Sequence, residues 1–179
     1  MTYSKEQMAA KISQVAGKLG VEGAWLDAVI NFETGGTYSP QVRNRRSSAL
    51  GLIQLTDTAA ANLFNGATSA EVIALHSDFM DQMDNVVYPY LEQYAPFANE
   101  SELWLAIFYP AWRRKPLDTV LPDNVREVNP GIDTLGDYVD NVKKRVKAGS
   151  LTINPTAAVS VGLPGIAILG LFLWRMLKR

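Results

Sequence analysis

Apolar positions recur along most of this chain with a helical period of three or four. Met8, Ile12, Val15 and Leu19 form one stripe, Ser4 with Gln7 makes a capping box ahead of it, and Gly20 supplies a C-cap. A second helix is expected from about Glu22 through "GAWLDAVINFE", where Leu26, Val29, Ile30 and Glu33 share one face. Gly35 and Gly36 stop it, which leaves Glu33 on the buried face of its last turn. The polar segment Thr37 to Ser48, with Pro40 and three arginines, reads as a loop.

A third helix is expected over about Leu50 to Phe64, closed by Asn65-Gly66. Thr68 and Glu71 form another capping box and open a long helix through "EVIALHSDFMDQMDNVVYPYLEQY", interrupted or kinked near Pro89. Asn99 caps "LWLAIFY", with Glu100 and Glu102 in its acidic first turn. Pro110 to Pro130 reads as irregular. Thr134 caps a last helix, "LGDYVDNVKKRVKA", expected to end at Gly149 with Lys143, Lys144, Arg145 and Lys147 on its negative end. No alternating strand pattern and no internal repeat stand out, so the fold class expected is all-α.

The C-terminal part differs. From Ala157 to Trp174 eighteen residues pass without a charge, followed by Arg175, Lys178 and Arg179. As a helix this run would extend ~27 Å, close to the hydrocarbon thickness of a bilayer. The division expected is therefore a domain over 1–149, a linker over 150–156, a transmembrane helix over 157–174 that brings a lipid membrane as partner, and a basic tail over 175–179. A buried core helix or a packing segment inside a virion is the alternative for 157–174. The polar N-terminus lacks the apolar core of a secretory signal, so ordinary export is not expected.

Composition narrows the chemistry. The 179 residues carry a formal net charge of −1, which gives no electrostatic case for nucleic acid. The chain has no cysteine and one histidine, His76. Disulfides, thiol catalysis and thiolate metal sites are excluded, as is any scheme needing two histidines. What remains is carboxylates, hydroxyls, amides and aromatics. Asp78, Asp81 and Asp84 recur every third residue, but a calcium loop needs a different spacing with a glycine and a terminal glutamate. They read as a solvated helix face, with His76 on the rim of the same helix and Met80 and Met83 in the core. "WRRK" at 112–115 suits either anionic glycan or lipid headgroups, or an exposed loop.

Glu33 stands out. An apolar helix face, the nearby Phe32 and Trp25, and a helix C-terminus all disfavour its charged form. A carboxyl so raised can serve as a general acid near neutral pH. About twenty residues on, Gly51 permits close approach of a ligand or a backbone, and Gln54 offers donors and an acceptor at the expected start of the third helix.

These segments together resemble the lytic transglycosylase and goose-type lysozyme group of the lysozyme superfamily. Glu33-Thr34 matches the catalytic glutamate and the small hydroxyl residue after it. Ser48-Ala49-Leu50-Gly51-Leu52-Ile53-Gln54-Leu55-Thr56-Asp57-Thr58 looks like the glycine-glutamine signature of the group. Phe108-Tyr109-Pro110-Ala111 is similar to its third motif and Tyr138-Val139 to its fourth, over residues 10 to 148 in all. Pro110, Trp112 and Asp57 depart from the pattern, and the loop between Glu33 and Gln54 is a few residues longer than in soluble bacterial members.

The resemblance implies a lysozyme-like helical domain that cleaves peptidoglycan glycan strands with Glu33 as the catalytic residue. Thr34, Ser48, Gly51, Gln54, Tyr109 and Tyr138 are the substrate-binding residues it implies, with no metal and no cofactor. Glu33 would protonate the glycosidic oxygen and then deprotonate the muramic acid 6-hydroxyl, closing a 1,6-anhydro ring. A phage-encoded, virion-associated enzyme with other virion or membrane proteins as partners is the setting expected. A hydrolytic goose-type muramidase and a non-catalytic virion protein of the same fold are the alternatives.

Overall fold

The computed structural model describes residues 3–146 and 150–153. The expected transmembrane helix over 157–174, the basic tail and the end of the last helix lie outside the described residues, among which no helix is long and apolar enough to cross a membrane. The described residues are helical, with three isolated β bridges and no strand, in accord with the all-α expectation.

The central element is α2 (Gly23–Glu33), which packs against α1 (Lys5–Leu19), α7 (Glu100–Phe108) and α9 (Leu135–Val146). It can be central because Leu26 through Asn31 are all buried, so its sides meet neighbours rather than water. The Ser4–Gln7 capping box starts α1, and Gly20 in the left-handed region ends it. Ile12, Leu26, Ile30, Leu103 and Leu105 are fully enclosed in the core between these helices. The indole of the buried Trp104 donates to the Trp25 carbonyl at 2.7 Å, which satisfies its one polar atom.

Two of the expected helices are differently built. The third begins only at Asp57 (α3, Asp57–Leu63), capped by the Thr56 hydroxyl. Residues 50–55 form a tight bend instead, bridged from Leu50 to Leu55 and from Arg43 to Leu50. The apolar run Leu50, Leu52, Ile53, Leu55 fits either form, and Gly51 and Gln54, both at positive φ, decide for the bend.

The long helix is divided. It comprises α4 (Ser69–Leu75), then α5 (Phe79–Gln82), a π turn (Met83–Val87) and α6 (Tyr88–Glu92) in series. Asp78 restarts the helix by accepting from the Asp81 N–H, a cap legible as Asp-x-x-Asp before an apolar run. Pro89, expected to kink the chain, follows a π turn in which Tyr88 N–H reaches Met83. A wider turn of this kind is one way for a helix to admit a proline.

The three aspartates serve separate neighbours. Asp78 is a cap, Asp81 meets the His76 Nδ1 at 3.0 Å, and Asp84 pairs with Lys11. No group of potential metal ligands occurs among the described residues.

Within the stretch expected to be irregular, Pro110–Trp112 forms a 3-10 turn and Asp123–Val128 forms α8. Beyond α9, residues placed in a linker by the sequence are seated on the domain. Leu151 is buried, and its N–H donates to the Tyr38 hydroxyl at 3.2 Å. That hydroxyl donates in turn to Asp27 at 2.8 Å. Burial pushes the Asp27 carboxyl up to about 6, against the opposing pull of the Tyr38 and Leu151 hydrogen bonds.

Candidate active site

The end of α2 fixes Glu33. Gly35 N–H donates to the Phe32 carbonyl at 3.1 Å and Gly36 N–H to the Asn31 carbonyl at 2.7 Å. With both glycines at positive φ this is a Schellman motif, which satisfies the last carbonyls and turns the chain away. The Thr34 hydroxyl donates to the Ile30 carbonyl at 2.7 Å and accepts from the Tyr38 N–H at 3.1 Å. Thr34 is buried and holds the turn rather than facing the cleft.

The cleft beside Glu33 has a volume of about 310 Å³. One wall is the bend after Arg43, with Asn44, Arg46, Ser47, Ala49, Ile53, Gln54 and Thr56; Ile107, Phe108 and Tyr109 at the end of α7 line it too. The cleft is lined as well by α8 and its C-cap, through Asn124, Val125, Val128 and Asn129. Glu33 is the one carboxylate among the lining residues. Four primary amides, three hydroxyls and the Arg46 guanidinium surround it, a lining suited to a ligand rich in hydroxyl and amide groups.

Tyr138 stands behind the acid. Its hydroxyl donates to the Glu33 Oε1 at 2.6 Å. Its ring stacks on Phe108 at 4.2 Å and meets Phe32 edge-on at 5.4 Å. Burial pushes the Glu33 carboxyl up to about 7, and the Tyr138 hydrogen bond pulls the other way. Burial and the neighbouring Glu33 charge push the Tyr138 phenol well above its usual value, so it remains a donor at neutral pH. With one oxygen engaged by Tyr138, the acid presents the other for proton transfer.

Of the residues expected at the site, Glu33, Gln54 and Tyr109 line the cleft together. Gln54 lies in the bend and not at a helix start. Its amide donates to the carbonyls of Val42 at 3.1 Å and Gly51 at 3.0 Å, while its Oε1 has no protein partner among the described residues. Gly51 faces inward, where an added Cβ would lie 2.7 Å from Ile73 and 2.8 Å from Gln82. The Ser48 hydroxyl accepts from the Asp57 N–H at 3.0 Å and supports the bend from behind. Tyr109 meets Trp112 edge-on at 4.9 Å.

Neither remaining acid considered from the sequence lines the cleft. Asp27 is enclosed beside Tyr38, and Asp57 accepts the Ser69 hydroxyl and N–H at 2.7 and 2.8 Å. Sequence reasoning missed α8 and the tip Asn44–Ser47. Nothing local marks Asn124 or Asn129, since they join Gln54 in lining the cleft only once the chain is folded. No protein-family model, no curated protein and no solved structure matches this chain.

Proposed function

We propose that this protein is a peptidoglycan lytic transglycosylase acting on the bond between N-acetylmuramic acid and N-acetylglucosamine. The observation that carries the reading is the lone carboxyl of Glu33, raised to about 7 and held by Tyr138 in an amide-lined cleft. A glycosidase that activates water through a second carboxylate, or forms a glycosyl-enzyme on one, needs two acids flanking the bond. Here a single group acts twice. Glu33, protonated, gives its proton to the leaving oxygen as the glycosidic bond breaks, and the resulting carboxylate takes the proton of the muramic acid 6-hydroxyl. That oxygen then closes on C1 as the 1,6-anhydro ring. Protons balance, and neither water nor a cofactor is consumed.

The amides of Asn44, Gln54, Asn124 and Asn129 suit the hydroxyl and 2-acetamido groups of such a strand. The order of the Glu33, Gly51-Leu52-Ile53-Gln54, Tyr109 and Tyr138 segments supports the same reading. The uncharged run 157–174 supports a membrane-attached form, for which a phage particle is the proposed vehicle.

The test is digestion of purified cell-wall sacculi by the full chain in detergent, beside its Glu33→Gln variant, with products weighed by mass spectrometry. Anhydro-muropeptides from the wild type alone are expected. Reducing ends in their place would identify a hydrolytic muramidase. No product from the wild type would leave a non-catalytic virion protein.

A further inference from the structure

The basic residues around the cleft differ in one respect. Arg113 and Arg114 both pair with the buried Glu102, and Lys115 rests over the Trp112 ring at 4.1 Å. Arg126 on α8 pairs with Asp123 and Asp133. The "WRRK" stretch is thereby spent on internal contacts. Arg46 is not. It lies exposed at the tip of the bend, lines the cleft with Glu33, and its guanidinium has no acidic partner among the described residues. Its backbone is set by its own N–H, which donates to the Asn44 side chain at 2.9 Å.

A cation in an otherwise amide-lined cleft gains most from a ligand that carries a negative group. An unpaired guanidinium presents a fork of donors matched to a carboxylate, and such charge-assisted pairs are stronger than neutral ones. Because burial raises the Glu33 carboxyl to about 7, roughly half of it is protonated at pH 7, which reduces the opposing charge an acidic ligand meets there. We infer that Arg46 is a specificity residue that binds a carboxylate carried by the glycan, so that the cleft prefers acidic strands to neutral ones of the same length. This rests on the glycan reading above. Two carboxylates fit the chemistry: the lactyl group of muramic acid itself, or a carboxylate of the peptide attached to it.

The test is calorimetric binding to the full chain carrying Glu33→Gln, which keeps the ligands intact. Three ligands are compared: neutral chitotetraose, a GlcNAc–MurNAc tetrasaccharide with free lactyl groups, and the same tetrasaccharide with peptide stems. At least one acidic ligand is expected to bind more tightly than chitotetraose. Adding Arg46→Gln should lower that acidic-to-neutral affinity ratio roughly tenfold, as loss of one charged hydrogen bond requires. Arg46→Lys should keep part of it and Arg46→Glu should invert it. Which acidic ligand responds identifies the carboxylate.

An unchanged ratio in Arg46→Gln and Arg46→Glu overturns the inference, as does no binding of any ligand. The two readings fail separately. Cleavage of sacculi with no Arg46-dependent ratio leaves the transglycosylase without this specificity. Arg46-dependent binding with no cleavage by the wild type leaves a lectin-like cleft.

Discussion

Tyr138 and Glu33, 105 residues apart, share a hydrogen bond of 2.6 Å that ties the first turn of α9 to the end of α2. The bond engages one carboxyl oxygen and opposes the upward push of burial. Tyr138→Phe is therefore expected to act in two ways. The maximal rate falls roughly tenfold, the cost of losing one hydrogen bond to a charge-bearing group. The alkaline limb of the pH–rate profile, near pH 7 in the wild type, moves upward, because the contact that favours the carboxylate is gone. A pH profile of both proteins reads out each effect, and an unmoved or downward-moved limb would count against this role.

Glu33 should also cost stability. Its folded-state value of about 7 lies above the ordinary 4.5, so the folded chain holds a proton that the unfolded chain releases. Stability is then full below about pH 4.5 and declines as pH rises through 7, by on the order of 3 kcal/mol. Glu33→Gln keeps an acceptor for Tyr138 and cannot ionise. It should match the wild type at pH 4.5 and exceed it in melting temperature at pH 8, while losing activity. Equal melting temperatures at pH 8 would show that the buried charge costs nothing.

Much of the frame was legible because capping is local. Ser4 with Gln7, Thr68 with Glu71 and Asn99 with Glu102 each announce a helix within four residues, and each cap is formed. Glu33 was legible for a similar reason, as an acid in phase with an apolar face before two glycines. The bend at 50–55 was not, because Leu50, Leu52, Ile53 and Leu55 satisfy two periods at once. The α8 wall was not either. Asn124 and Asn129 are ordinary surface residues until tertiary folding brings them to the same cleft as Gln54, and Arg46 is one of three arginines in a polar loop.

The bend itself offers a sharp test at Gly51. Its φ is +80°, and an added Cβ would lie 2.7 Å from the Ile73 Cδ1 and 2.8 Å from the Gln82 Oε1. Gln82 cannot simply turn aside, since the same oxygen accepts from the Leu52 N–H at 3.1 Å and its amide donates to Pro40 at 2.7 Å. Gly51→Ala thus combines backbone strain with overpacking, about 3 kcal/mol together. Chemical denaturation should show that loss, with activity falling in parallel because Gln54 and Ile53 are on the same bend. A loss under 1 kcal/mol would mean the bend relaxes freely.

The last prediction concerns the residues beyond α9. Tyr38 is buried, and its hydroxyl donates to Asp27 and accepts from Asn31 and from the Leu151 backbone. Tyr38→Phe removes the acceptor for Leu151 and a donor to a buried carboxyl in one step. Because the Tyr38 hydrogen bond lowers the Asp27 value, its loss drives that carboxyl further above about 6. The added cost falls on the ionised form, so destabilisation should be larger at pH 8 than at pH 4, and about 2 kcal/mol or more at the higher pH. Leu151→Ala, which removes only apolar contact, should lower stability equally at both values. Thermal unfolding of the two variants at pH 4 and pH 8 separates these patterns. If Tyr38→Phe shows the same loss at both, the ionisation of Asp27 takes no part in holding the segment.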